Sequence, residues 1–305
     1  MPLLTQESEA KERMSVIIKK NSFYDFAIRR FKRNKLAVIG GFITIFFVVV
    51  AIFAPFIAPH EPSEFFFIEG QNVYNKYATP SSDHILGTDS LGRDVFSRLV
   101  FGARVTMMVA LLAVSISTLI GTFVGLVSGY YGKVIDAVFM RIVDIVISFP
   151  VLFLLISIST IMDPSIWIVI LAIGFVSWTS TARLVRSEVL RVKELDYILA
   201  SHAVGSKNIK IILKHILPNI LAPIMVQITI GTAQAILMEA SLSFLGVGVQ
   251  QPTPSWGNML MDAQKLLVLR DMPWIWIPPG IVNLLLVLAI YFVGDGLRDA
   301  FDSRQ

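Results

Sequence analysis

An uninterrupted apolar segment near the N-terminus constrains the fold of this chain more than any other feature. Residues 37–58 read AVIGGFITIFFVVVAIFAPFIA and contain no charged side chain. About twenty such residues cross the roughly 30 Å hydrocarbon layer of a membrane as a helix. Because backbone groups in lipid must pair within the protein, only helices or closed barrels span it. The apolar runs are continuous rather than alternating, so the sequence predicts an all-α membrane protein.

Five further apolar segments are long enough to cross a bilayer, which brings the prediction to six transmembrane helices. The third contains Phe149-Pro150, where we expect a kink because proline removes a helix hydrogen bond. A turn at Met162-Asp163-Pro164 is predicted to join the third helix to the fourth. The predicted helices are 37–58, 105–127, 143–162, 165–185, 219–245 and 274–294.

The distribution of positive charge predicts how these helices are oriented. With the N-terminus inside, 20 of the 26 Lys and Arg residues fall on the cytoplasmic side and six fall outside. Cytoplasmic loops carry such an excess, so both termini are predicted to be cytoplasmic. The same bias accounts for the net charge of +4 without nucleic acid as a partner. For the basic stretch 22–36, contact with membrane lipid and simple solvation are equally compatible with the sequence.

The predicted helices divide the chain into segments of different character. The external segments 59–104 and 246–273 exceed the roughly 12–15 residues of ordinary loops, so they either cap the outer mouth or connect helices passively. The divisions are a basic, amphipathic N-terminal segment 1–36, the first helix 37–58, an extracytoplasmic loop 59–104, a transmembrane core 105–296 and a cytoplasmic tail 297–305.

Motifs for chemistry on small molecules are absent from the sequence. It contains no G-x-x-x-x-G-K-[ST] phosphate loop, no H-E-x-x-H and no G-x-S-x-G. It has no cysteine, and His60, His84, His202 and His215 are scattered along the chain. We therefore predict no catalytic residue, no cofactor bound by this chain and no metal site.

A polar island between two apolar blocks is the second informative feature. Residues 190–218 read LRVKELDYILASHAVGSKNIKIILKHILP, with two amphipathic stretches on either side of Gly205-Ser206. Glycine tolerates the positive φ of a chain reversal, and Pro218 suits the first turn of the following helix. Two short helices at the membrane surface are therefore predicted. A hairpin with lipid-bound lysines and a docking surface for another protein both fit this pattern.

Several motifs in this sequence resemble those of a known family. The loop 186–218 follows the signature E-A-A, three residues, Gly, nine residues, I-x-L-P of the inner-membrane permeases of binding-protein-dependent ABC importers, although Leu199, Ser201 and His215 depart from it. The matching positions are Ala200, Gly205, Leu217 and Pro218. Four more motifs resemble the C-type subunit of oligopeptide and dipeptide permeases. They are HILGTDSLGRDVFSR (84–98), FLGVG (244–248), PTPSWGNML (252–260) and GDGLRD (294–299).

This resemblance implies a type I ABC importer permease fold, with a core of five helices plus an N-terminal helix. It implies a bacterial inner or plasma membrane protein that pairs with a homologous second permease. Two ATPase subunits, which bind ATP and Mg, and an extracytoplasmic peptide-binding protein are the other implied partners. The loop 186–218 is then expected to dock on an ATPase, and the chain itself to be no enzyme. The expected coupling residues are Ala200, Ser201, His202, Ala203, Gly205, Ser206, Lys207, Leu217 and Pro218.

Polar residues in the last two predicted helices are candidates for the substrate path, because polar groups at membrane depth normally face a cavity or another helix. Gln227 and Gln234 share one face of the fifth helix, Glu239 lies on roughly the opposite face, and Asn283 lies in the sixth. Peptides are the expected cargo, and nickel or another small solute is the alternative. A self-contained secondary transporter or channel is disfavoured because Glu239 is nearly alone among ionisable groups in the spans.

Overall fold

The computed structural model of this protein describes residues 23–301 except 69, 71, 163 and 164, and for 23–27 it describes only the backbone. Across the described residues the chain forms helices and isolated β-bridges but no β-strand, which confirms the predicted all-α class. Parts of the predicted segments 1–36 and 297–305, and part of the predicted turn at Met162-Asp163-Pro164, lie outside the described residues.

Two long helices of the N-terminal half, which start at Lys35 and Val95, begin after a residue whose side chain accepts a free backbone N–H group. Asn34 Oδ1 accepts from the Ala37 N–H at 3.2 Å, and Asp94 Oδ2 accepts from the Ser97 N–H at 2.7 Å. The described helices of the N-terminal half are α1 Phe23–Arg33, α2 Lys35–Ile52, α3 Ala54–Ile57, α4 Val95–Tyr131, α5 Lys133–Ser148, α6 Val151–Ile161 and α7 Ile166–Val192.

The C-terminal half contains two long helices and several short ones. Its elements are α8 Asp196–Ala203, α9 Asn208–Ile211, a π-helical turn Ile212–Ile216, α10 Leu217–Phe244, α11 Trp256–Leu260, a 3₁₀ turn Met261–Gln264, α12 Leu266–Asp271 and α13 Pro273–Phe301. Helices α4, α7 and α13 run past the predicted apolar segments into polar sequence, whereas α10 nearly coincides with its predicted segment. Helix α4 begins at Val95 rather than at 105, because hydropathy marks only the part of a helix that lies in lipid.

The third predicted span is broken rather than kinked. Helices α5 and α6 meet at an angle of 84° across Phe149-Pro150. Asp136 of α5 pairs with Arg186 at 2.5 Å, near the end of α7, whereas Ile161 at the end of α6 lies a few residues before the start of α7. The pair therefore travels from one end of α7 to the other, as a single span does. Among the described residues, five continuous helices are long and apolar enough to cross a membrane, and the bent pair counted as one span brings the number of candidate spans to six.

Small residues let α4 and α7 pack closely. A Cβ atom added at Gly121 would lie 2.6 Å from Thr181 Cβ, and one added at Gly125 would lie 2.6 Å from Val185 Cβ. Such contacts hold membrane helices together, because lipid supplies no hydrophobic drive for their association. Helices α2, α10 and α13 pack around this pair, and the main apolar core lies between them.

Candidate functional site

The loop 186–218 reverses direction at a left-handed glycine. Helix α8 is followed by Gly205, which has φ +80°. The Gly205 N–H donates to His202 O at 2.9 Å, and the Ser206 N–H donates to Ser201 O at 3.1 Å. These two bonds form a Schellman motif, the helix cap that favours glycine at this position. The predicted pair of short helices around Gly205-Ser206 is confirmed.

Buried isoleucines fix this loop to the membrane helices. Ile198, Ile211 and Ile216 each have 0% of their surface exposed, and they pack in one cluster with Val185 and Val189 of α7. The cluster includes residues of α8, α9 and α10, so the short helices and the start of α10 form one rigid unit with the end of α7.

The end of α4 adds polar contacts to the loop. Tyr130 Oη donates to Asn208 Oδ1 at 3.0 Å, and the Tyr130 ring stacks on His202 with 5.9 Å between the ring centroids. Lys193 Nζ donates to Gly129 O at 3.1 Å. The loop therefore contacts α4 as well as α7 and α10.

The remaining surface of the loop exposes apolar side chains. Val204 is 86% exposed, Ile209 59% and Leu199 51%. Apolar side chains exposed on a polar loop are candidates for contact with another molecule, either membrane lipid or a protein. Of the predicted coupling residues, Ala200, His202, Ala203, Gly205, Lys207 and Pro218 are exposed, and Ser201, Ser206 and Leu217 are half-buried.

The chain enters α10 through a wide π-helical turn. The Leu217 N–H donates to Ile212 O, five residues back, and Asn219 Nδ2 donates to His215 O at 2.6 Å. Pro218 is the second residue of α10, where its missing N–H costs little. π-Turns inside helices occur frequently at functional sites, and this one joins the loop to a membrane-spanning helix.

A narrow cleft with a water-accessible volume of about 10 Å³, room for roughly one water molecule, lies between α4, α7 and α10. Gln227 and Gln234 of α10 both line it, which brings these two predicted path residues together. Gln234 is exposed near the middle of α10, and an exposed amide at membrane depth normally faces a cavity or another helix. The polar residues on the opposite walls are all uncharged: Ser117, Thr118, Ser177, Ser180 and Thr181.

Glu239 lies away from this cleft. Its side chain is 0% exposed, and its carboxylate accepts from Ser243 Oγ at 2.7 Å and from Thr106 Oγ1 at 3.3 Å. Ser243 Oγ accepts in turn from the Val249 N–H at 2.9 Å. The carboxylate thus joins α10 to α4 and to the segment after α10, an arrangement that favours a structural role over a place on the path.

Asn283 is also separated from the two glutamines. It is 6% exposed and borders a different, largely apolar groove beside Leu237 and Phe244. Among the described residues its Oδ1 atom has no hydrogen-bond partner. The structure therefore brings together two of the four predicted path residues and leaves the other two elsewhere.

At the far end of α10 from the 186–218 loop, residues 59–94 and 246–272 fold together, and we call them the cap. Arg98 is 2% exposed, and its Nη1 atom donates to Pro62 O at 3.0 Å and to Pro252 O at 3.3 Å. One buried guanidinium therefore holds the two segments of the cap to each other. Whether they close the outer mouth or connect helices passively is not decided by this packing, so their role as a cap stays a prediction.

One further contact joins the cap to α4, and another joins the two segments of the cap. Trp256 is 1% exposed, and its Nε1–H donates to Leu99 O at 2.9 Å. Lys265 Nζ donates to Asp262 Oδ1 at 2.8 Å and to Tyr77 Oη at 3.1 Å. The bond to the Asp262 carboxylate raises the pKa of Lys265 above its ordinary value, so its ammonium group stays charged.

Comparison with protein families identifies the chain. The family model of the binding-protein-dependent transport system inner membrane component matches residues 117–305, which is more than half of its length. The chain belongs to this family of transport permeases. A second model, the N-terminal TM domain of oligopeptide transport permease C, matches residues 22–80 of the permease. The resemblance inferred from the sequence motifs is confirmed.

The permease is similar to curated proteins over almost its entire length. It is 43% identical to the dipeptide transport system permease protein DppC of Alkalihalophilus pseudofirmus, over 92% of this chain and 89% of the relative. It is 39% identical to DppC of Bacillus subtilis, over 99% and 92% of the two chains. The oligopeptide transport system permease protein OppC of Bacillus subtilis is 37% identical over 93% and 90%.

Solved structures agree with the predicted fold. A chain of the MetNI methionine ABC transporter in an inward-facing conformation superposes with a TM-score of 0.53 at 22% identity, covering 68% of the permease and 98% of that chain. A chain of an amino acid ABC transporter with histidines gives 0.51 at 17% identity, covering 66% and 92%. The ABC importer permease fold is thereby confirmed.

Sequence reasoning missed the hydroxyl side of the cleft. Ser177, Ser180 and Thr181 lie in the hydroxyl-rich stretch SWTST at residues 177–181, whereas the predicted path residues were all in the last two spans. Their spacing of three and four residues places them on one face of α7, which is a signal that could have found them. No sequence pattern could have shown that Arg98 joins the two segments of the cap, because its partners are backbone oxygens that are far from it along the chain.

Proposed function

We propose that this permease is one membrane subunit of an ABC importer for dipeptides or oligopeptides. Its partners would be a homologous second permease, two ATPase subunits and an extracytoplasmic peptide-binding protein. The observation that carries the proposal is the 186–218 loop, which is rigidly packed against α4, α7 and α10 yet exposes Leu199, Val204 and Ile209. The peptide cargo is supported by similarity to the dipeptide permeases, which favours it over nickel.

In this proposal the energy comes from outside the chain. ATP and Mg bind to the ATPase subunits, and the chain itself has neither a catalytic site nor a cofactor. Closure of the ATPases displaces the docked loop, and the loop passes that displacement to the membrane helices through Ile198, Ile211 and Tyr130. ATP drives the change because it binds the two states of the complex with different affinity.

The proposed cargo path runs along the cleft that Gln227 and Gln234 line. Amide and hydroxyl groups can form hydrogen bonds with the backbone of any peptide. The residues that line the cleft carry no charge, so the cleft would not select peptides by the charge of their side chains. Weak, uncharged contacts also let the cargo leave. Selectivity for particular peptides would then lie mainly with the binding protein.

The proposed orientation places both termini and the 186–218 loop in the cytoplasm of a bacterial cell, and the cap outside. The excess of Lys and Arg on the side that carries the loop supports this orientation. Six crossings, an even number, keep the two termini on the same side.

The test is reconstitution of the complete importer in nanodiscs and vesicles with candidate binding proteins. We expect peptides delivered by the correct binding protein to stimulate ATP hydrolysis and to enter the vesicles, and we expect Ni²⁺ to do neither. Stimulation of ATP hydrolysis by Ni²⁺ alone would indicate that the importer carries a metal ion rather than a peptide. Uptake by vesicles that contain this chain without the ATPase subunits would contradict the proposed dependence on a partner.

A further inference from the structure

The helix that precedes the first membrane span carries a basic stripe. Arg29, Lys32 and Arg33 of α1 are exposed, and spacings of three and four residues place them on one face. None of these three forms an ion pair or hydrogen bond with the described part of the chain. Because like charges at such spacings repel one another, an external anion on the stripe would stabilise the helix.

The other face of α1 is fixed to the protein. Phe31 packs on α13 so closely that a Cβ atom added at Gly296 would lie 3.1 Å from its ring. Asn34, directly after α1, donates through Nδ2 to Asp299 Oδ2 at 3.2 Å. At about 100° per residue, the stripe points away from Phe31, so it faces outward from the bundle.

The position of α1 directly before the first span determines where it lies relative to the membrane surface. It ends at Arg33, and the apolar span α2 begins at Lys35. The hydrocarbon layer therefore starts within about one helical turn of the stripe, which puts the three cations at the level of the lipid headgroups. An anionic membrane surface attracts basic residues at this depth.

From these observations we infer that Arg29, Lys32 and Arg33 form a binding site for the headgroups of anionic phospholipids. Charge complementarity and depth both favour a lipid as the occupant. The stripe lies far from the cleft, so the inference is independent of the cargo. It concerns binding in the assembled protein rather than the choice of orientation during insertion.

The test measures lipid retention on the full chain purified with its partner subunits. Native mass spectrometry follows binding of phosphatidylglycerol and of phosphatidylcholine at increasing concentrations. We expect preference for phosphatidylglycerol in the wild type. The triple variant Arg29→Gln, Lys32→Gln, Arg33→Gln should bind it roughly a hundredfold more weakly, at about fivefold for each lost cation.

Matched variants make the result specific. Arg29→Lys with Arg33→Lys should keep the binding, because the charge is kept. Lys76→Gln, Arg104→Gln and Arg270→Gln remove three cations elsewhere and should also keep it. Should the triple variant misfold, Arg29→Gln alone should still show the fivefold loss.

Three outcomes would overturn the inference. They are equal retention of phosphatidylglycerol by the wild type and the Arg29→Gln variant, no preference over phosphatidylcholine, and displacement of the lipid by millimolar inorganic phosphate. The last of these would identify a site for free phosphate.

Discussion

The cap and the 186–218 loop are both polar segments at the ends of α10, yet they are built differently. The cap buries Trp256 and Arg93 and surrounds Arg98 of α4, which are among the most buried side chains in the described structure, although it also leaves Leu266 78% and Leu267 58% exposed. The loop buries only one side and leaves Val204 86% and Ile209 59% exposed. Buried polar and aromatic contacts thus join the two segments of the cap to each other, whereas the loop is attached to the membrane helices by one buried side only. Variants at the two ends should therefore fail in different ways.

The largest effect is expected at the glycine of the loop. Gly205→Val should abolish peptide transport, because a β-branched residue is strained at φ +80° and the reversal would change shape. No atom lies within 4 Å of an added Cβ, so backbone conformation rather than space is the cause. Uptake by vesicles with the reconstituted importer is the measurement, and the variant should still insert in the membrane.

Gly205→Asn provides the matched control, since asparagine tolerates a left-handed conformation better than other side chains. It should retain much of the transport. Normal uptake by Gly205→Val, or equal loss in both variants, would contradict the importance of the left-handed turn.

Trp256→Ala should have the second largest effect, and it should appear as instability. Truncating a buried aromatic side chain costs about 3–5 kcal/mol, and here the Leu99 carbonyl also loses its donor. Thermal unfolding in detergent measures the loss. Trp167, which is 60% exposed, is the control, and Trp167→Ala should unfold near the wild-type temperature. Similar midpoints for the two variants would show that the cap is not a packed unit.

Glu239→Ala should affect stability less than Trp256→Ala. The change leaves the Thr106 and Ser243 hydroxyl groups without their acceptor, which costs about 1–3 kcal/mol. Gln234→Ala in the cleft should do the reverse, changing the KM for peptide uptake while leaving the unfolding temperature unaltered. If Glu239→Ala changed uptake kinetics without lowering stability, Glu239 would return to the substrate path.

These comparisons show which parts of the molecule a sequence can predict. Hydropathy predicted the positions of the spans, and Gly205 predicted the reversal, because both are local properties. The two faces of α10 were also predicted, but only three-dimensional packing shows that the face with Gln227 borders the cleft while Glu239 is buried. The 84° break between α5 and α6 exceeds a proline kink, and its angle depends on contacts with α7. Exposure of individual loop residues likewise depends on the fold.

The smallest effect is expected at Val204, whose exposure only the structure reveals. Val204→Ser should leave the unfolding temperature unchanged, because the side chain contributes little to this chain's own core. Burial of a valine against a partner contributes about 1.5 kcal/mol or more, so ATPase binding should weaken roughly tenfold in a titration of the purified permeases. Ile85, 53% exposed in the cap, is the control, and Ile85→Ser should bind the ATPase normally. Equal affinities for both variants would mean that the apolar edge of the loop contacts lipid rather than an ATPase.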